Sequence, residues 1–107
     1  MLLIFAQIDA TKNFYDTIQD QETQIVVLFY AEWCVNYQDF KPIWNTLIHP
    51  KVKFLEVDCV YARDVCQEER IKGYPTIKLY KDGEATDMFT GVKDKHEIDN
   101  WIRFKVK

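Results

Sequence analysis

Three cysteines, Cys34, Cys59 and Cys66, are the residues of this 107-residue chain with the most chemistry to offer. Three is an odd set: if two pair, the third is left as a free thiol or as the partner of another chain. Cys34 opens the run Cys34-Val35-Asn36-Tyr37, where an apolar stretch gives way to helical spacing. A thiol at a helix start meets the positive end of the helix dipole and unpaired amides, and both favour the nucleophilic thiolate. The other reading open to Cys34 is a buried, inert thiol. A metal site is not expected, because only His49 and His96 could join the cysteines and neither has ligand spacing.

The elements that must position these residues are legible as a succession. Leu2 to Ile8 reads as a short strand and not as a leader, for it has no basic start and its apolar stretch is short. Asn13 to Ile18 reads as a helix, with Phe14 and Ile18 on one face. Gln24 to Ala31 is unbroken, apolar and rich in β-branched residues, the pattern of a central strand covered on both sides. Its apolar core, Ile25 to Ala31, is far too short to span a bilayer. Tyr37, Phe40, Trp44, Leu47 and Ile48 then fall at helical spacing, with Pro42 placed to kink the helix. Val52 to Asp58 reads as a strand and Ala62 to Arg70 as a short helix. Ile77 to Tyr80 is a strand that the turn Lys81-Asp82-Gly83-Glu84 pairs with Ala85 to Thr90. Asp94 and Glu97 form a variant capping box ahead of a last helix lined by Ile98, Trp101 and Ile102.

The order is βαβαβαββα, without repeats or linkers. It predicts one α/β domain over residues 1–107, a central mixed sheet with helices on both faces. Hydrophobic residues make up 48% and aromatics 15%, enough to fill one core and too many for a disordered segment. The formal charge is −3 with Lys and Arg scattered among Asp and Glu, so neither nucleic acid nor membrane is an expected partner. No cofactor is expected.

Order and motifs together resemble the thioredoxin fold, and within it the domains of protein disulfide isomerases. Phe29-Tyr30-Ala31-Glu32-Trp33-Cys34 is similar to the strand end and active-site entry of that family. Pro42 matches its helix-kinking proline, and Gly73-Tyr74-Pro75-Thr76 resembles the loop whose proline is cis and faces the active-site cysteine. Val57-Asp58-Cys59 and Gly73 to Tyr80 look like the isomerase branch. The resemblance implies that Cys34 is the attacking thiol and that Trp33, Tyr74 and a cis Pro75 contact an extended client. It also implies a structural bridge between Cys59 and Cys66, with two reduced thiols as the alternative.

The chain departs from the family pattern at its site. Tyr37 stands where the family's second, resolving cysteine would be, and a phenol cannot resolve a mixed disulfide. Tyr37 has two placements open to it, over Cys34 or out to solvent. Leu28 stands where family members commonly hold a buried acid, which would be a burial cost without that cysteine. Asn36 replaces a histidine, which weakens the expected activation of Cys34, and Lys93 replaces an arginine without its planar fork.

The resemblance therefore implies a member of the disulfide isomerase family with a degenerate, single-cysteine active site. The expected function is chaperone-like binding of unfolded or cysteine-containing clients in protein folding and redox homeostasis, with mixed disulfides at Cys34 and release by glutathione or another thiol. The alternatives are a weak monothiol isomerase and a redox-silent interaction domain of a larger protein. A competent dithiol oxidoreductase is not expected. The expected compartment is the lumen of the endoplasmic reticulum, with the cytoplasm as the alternative, and no retention signal closes the chain at Phe104-Lys105-Val106-Lys107.

Overall fold

A computed structural model of the chain describes residues 7–19, 22–91 and 93–106. Strand β1 (Ile8–Asp9) and helix α1 (Phe14–Thr17) lead into β2 (Gln24–Tyr30), which is followed by α2 (Val35–Trp44) and β3 (Val52–Asp58). Helix α3 (Arg63–Glu68) precedes the hairpin of β4 (Thr76–Lys81) and β5 (Glu84–Met88), and α4 (Lys95–Lys105) closes the domain. Of the strand expected over Leu2–Ile8, residues 2–6 lie outside the described residues, and β1 takes up its end.

The sheet runs β1-β3-β2-β4-β5. Strand β2 pairs in parallel with β3, from Gln24 opposite Val52 to Tyr30 opposite Asp58, and antiparallel with β4. This central position explains its unbroken apolar sequence: Ile25 to Phe29 are all buried. Alternation along the strand divides them. Val26, Leu28 and Tyr30 pack with Phe40 and Trp44 of α2 and with Ile98 and Ile102 of α4. Ile25, Val27 and Phe29 pack on the other face with Phe14, Ile18 and the two cysteines Cys59 and Cys66. A mixed sheet of five strands flanked by four helices is the thioredoxin fold that the element order implies.

Local chemistry sets the ends of the elements. The β4–β5 turn places Asp82 and Gly83 at φ 53° and 82°, the two left-handed positions that a two-residue hairpin turn demands. The Asp94 carboxylate accepts from the Glu97 amide at 2.9 Å and caps α4. One expectation is corrected. Helical spacing carries α2 to Ile48, but the helix closes at Trp44. The Leu47 amide reaches only the Trp44 carbonyl, at 3.1 Å, and the Thr46 hydroxyl donates to the Ile43 carbonyl at 2.7 Å. These bonds tighten the last turn and give the Ile43 and Trp44 carbonyls partners. Leu47 still enters the core, while Ile48 is 70% exposed.

Candidate functional site

Cys34 is the N-cap residue of α2. Its backbone is extended, with φ −79° and ψ 122°, and its carbonyl takes the Gln38 amide at 3.0 Å. Its own amide donates to the Ala31 carbonyl at 3.1 Å, so the loop after β2 is held on both sides of the cysteine. The residue therefore stands at the first turn of a ten-residue helix, where amides have no helical partner, and its side chain makes no capping bond to them. The thiol is half-buried and unbonded to other cysteines, and Sγ lies 3.6 Å from the Tyr74 carbonyl oxygen.

The Tyr74–Pro75 peptide bond is cis, and this loop faces Cys34 through that carbonyl. The Trp33 indole is 67% exposed and meets the Tyr74 ring edge to face at 5.8 Å. Cys34, Trp33 and Tyr74 thus share one surface, with Pro75 next to them in the loop and the exposed Val35 beside the thiol.

Tyr37 takes neither of the placements open to it. It turns into the core, only 8% exposed, and stacks on Tyr30 with ring centroids 4.5 Å apart and planes 13° from parallel. Burial, and then the charges of Glu56, Glu32 and Asp58, raise its phenol pKa, so the hydroxyl stays protonated. Leu28 is fully buried in the apolar layer beneath. The carboxylate nearest in register is one strand over, at Glu56, which pairs with Leu28 across β2 and β3. Glu56 accepts from the Trp44 indole at 2.8 Å and forms an ion pair with Lys41, both on α2. The sequence reading missed this group. Its signal was an acid interrupting the buried run Phe54-Leu55-Glu56-Val57, with Lys41 and Trp44 one turn apart on the facing helix.

Cys59 and Cys66 are joined in a disulfide, with Cα atoms 5.7 Å apart, and are 4% and 5% exposed. Cys59 is held by its amide, which donates to the Tyr30 carbonyl at 2.8 Å. Cys66 is held by the end of α3. Arg70 takes the left-handed conformation at φ 59°, its amide reaches Gln67, and the Ile71 amide reaches the Cys66 carbonyl at 2.9 Å. This is a Schellman closure built without glycine.

The bridge corrects one expectation from sequence. A description of the chain by a degenerate site with a single cysteine leaves out a bonded cysteine pair that the fold holds in its core. What the domain carries is that pair together with a separate thiol at Cys34. No group of His, Cys, Asp and Glu among the described residues is arranged to hold a metal ion. No helix among them is long and apolar enough to cross a membrane.

Residues 5–104 match the family described as Thioredoxin. The chain is 31% identical to the thioredoxin domain-containing protein 5 homolog of Drosophila melanogaster over 71% of its own length and 20% of that protein. It is 30% identical to protein disulfide isomerase-like 1-4 of Arabidopsis thaliana, over 89% of the chain and 16% of the relative. It is 29% identical to the mitochondrial thioredoxin of Mus musculus, over 85% of the chain and 57% of the relative. The chain thus spans a fifth or less of the first two of these relatives. Among solved structures, the Trx4 domain of ERdj5 superposes with a TM-score of 0.81 at 32% identity, covering 95% of the chain and 96% of that domain.

Proposed function

The chain belongs to the thioredoxin family, and on that premise we propose that it binds client polypeptides during protein folding and captures cysteine-containing clients through Cys34. The observation that carries this reading is a half-exposed thiol at a helix N-terminus, 3.6 Å from the Tyr74 carbonyl and bordered by the exposed Trp33. An extended client lies along the Tyr74–Pro75 loop and pairs with its backbone as an added strand. The Cys34 thiolate attacks one sulfur of a client disulfide. A bond forms from Cys34 to that sulfur, the client S–S bond breaks, and the displaced client thiolate takes up a proton.

Release runs the same chemistry outward. Tyr37 stands three residues after Cys34 and its buried phenol offers no thiol. A thiolate from the client or from glutathione therefore attacks the mixed disulfide and returns Cys34 as a thiol. Each step is an exchange, so no net oxidation or reduction occurs. Where the client's own thiol is the attacker, the outcome is isomerisation of the client, which makes a slow isomerase the second reading.

The two PDI- and thioredoxin-domain relatives and the buried disulfide support an oxidising compartment, the lumen of the endoplasmic reticulum, while the mitochondrial relative favours another. Counting thiols in protein taken from cells under non-reducing conditions tests this: one free thiol supports the lumen, and three oppose it.

The functional test is incubation with a scrambled-disulfide substrate followed by a non-reducing gel. Covalent adducts are expected with the native chain, cleared by added glutathione and absent with Cys34→Ser. Adducts or activity that survive the substitution overturn the thiol-based reading.

A further inference from the structure

A cleft opens at the carboxyl ends of the three parallel strands. Asp9 ends β1, Tyr30 ends β2 and Asp58 ends β3, and together they open into a cleft of about 660 Å³. The outer ends of strands in an open α/β sheet are where such folds place ligands. Glu32 and Asp64 complete an acidic lining, and Lys12 is the one cation set against four carboxylates. The exposed ring of Tyr61, 82% accessible, stands at the rim.

Acidity alone would describe a solvated surface. The independent observation is Tyr30. Its side chain is only 9% exposed, it lines the cleft, and its hydroxyl has no hydrogen-bond partner among the described residues. Every fully buried side-chain N or O atom among the described residues is bonded, so this hydroxyl retains an opening, and Tyr30 is one of the residues that line the cleft. No protein group among the described residues uses this hydroxyl, so its lone pairs are open to a ligand. The proton stays on the oxygen, because burial and the Asp58 charge raise the phenol pKa. Asp58 accepts the Val60 amide, and Asp9 is held by both the side chain and the amide of Thr11; a carboxylate has room for further donors beyond these.

A ligand that suits this lining must donate several hydrogen bonds, carry positive charge and present a flat face to an aromatic rim. The residues do not form a metal cluster. We propose that the cleft is a guanidinium subsite that takes an arginine side chain of a client polypeptide. Carboxylates and the Tyr30 hydroxyl accept its N–H groups, and Tyr61 stacks on its plane. Glu32 lies two residues before Cys34, so the cleft borders the loop that carries the thiol. The inference deepens the client-binding reading and rests on it for its biological sense, but its test needs no thiol.

The test uses the full chain and a cysteine-free decapeptide containing two arginines, beside the same peptide with citrulline in their place. Amide shifts in NMR and calorimetry are the readouts. The arginine peptide is expected to shift the amides of Asp9, Thr11, Asp58 and Tyr61 and to bind about tenfold more tightly than the citrulline peptide at low salt. The difference should shrink as ionic strength rises. Glu32→Gln with Asp64→Asn, both on exposed residues, and Tyr30→Phe, which keeps the stack on Tyr37, should each weaken arginine binding several-fold. Cys34→Ser should not change it. Equal binding of the two peptides, or shifts confined to the Trp33 and Tyr74 surface, overturns the subsite while leaving capture by Cys34 to its own assay.

Discussion

Cys34 and Cys59 follow the ends of two parallel strands that lie side by side, yet their chemistry diverges completely. Cys34 comes after β2 and caps a helix of ten residues, half-buried, with a backbone carbonyl as its neighbour. Cys59 comes directly after β3, turns into the core and is consumed in a bridge to a six-residue helix. A thiol exchanges only where another sulfur can approach it in line, so accessibility and not proximity to a helix decides which cysteine is available. The two regions are nonetheless joined. The Tyr30 carbonyl receives the Cys59 amide, and the Tyr30 ring carries Tyr37 beneath the Cys34 helix.

The largest way to break this contrast is through that ring. Tyr37→Ala removes a buried, stacked side chain and should cost about 3 kcal/mol of stability by urea unfolding, whereas Tyr37→Phe should cost far less. A similar loss for both would mean that the hydroxyl, and not the stacked ring, holds the region together.

Next comes the bridge. Replacing Cys59 and Cys66 together with alanine should lower stability by roughly 2.5 kcal/mol, and Cys34→Ser should leave it within about 0.5 kcal/mol. Alkylation of the folded chain sharpens the same point: iodoacetamide should modify Cys34 alone, even with mild reductant present, and reach Cys59 and Cys66 only after unfolding. Labelling of all three in the folded state would erase the distinction.

Alkali probes the tyrosines. Burial first, and then its hydrogen bond to Glu69, push the Tyr15 phenol up to about 12, and burial likewise raises Tyr80, Tyr30 and Tyr37. The folded chain thus keeps phenol protons that the unfolded chain gives up near pH 10. Stability should be intact below about pH 10 and should fall as pH climbs towards about 12. Absorbance titration should show delayed ionisation of these tyrosines in the folded protein and a single step near pH 10 in urea.

A smaller loss is expected at a site remote from both cysteines. Asp94→Ala should cost about 1 kcal/mol, read by urea unfolding, because it strips the cap from α4.

Where covalent pattern dictates conformation, the sequence was informative. The runs Gln24–Tyr30 and Val52–Asp58 emerged as strands because burial on both faces writes itself into side-chain type. Asp82-Gly83 and Asp94 announced their turn and cap for equally local reasons. The end of α2 did not, since Leu47 is buried by a tightened turn that keeps helical spacing without helical hydrogen bonds. The placement of Tyr37 was illegible too: it depends on Tyr30 across the core, and no spacing reports a stack between a strand and a helix. The same holds for Glu56, whose partners Lys41 and Trp44 are near only once the sheet and α2 have packed.

The centrality of β2 has one more consequence, for the lifetimes of its amides. A strand with a neighbour on each side and a layer on each face can release its N–H groups to solvent only through openings close to global unfolding. Deuterium should therefore enter β2 last, and sooner into β5, which lies at the sheet edge with most of its residues exposed. Cys34 follows the segment expected to open last, so a client captured there, as proposed, would meet a sulfur whose position outlasts the encounter.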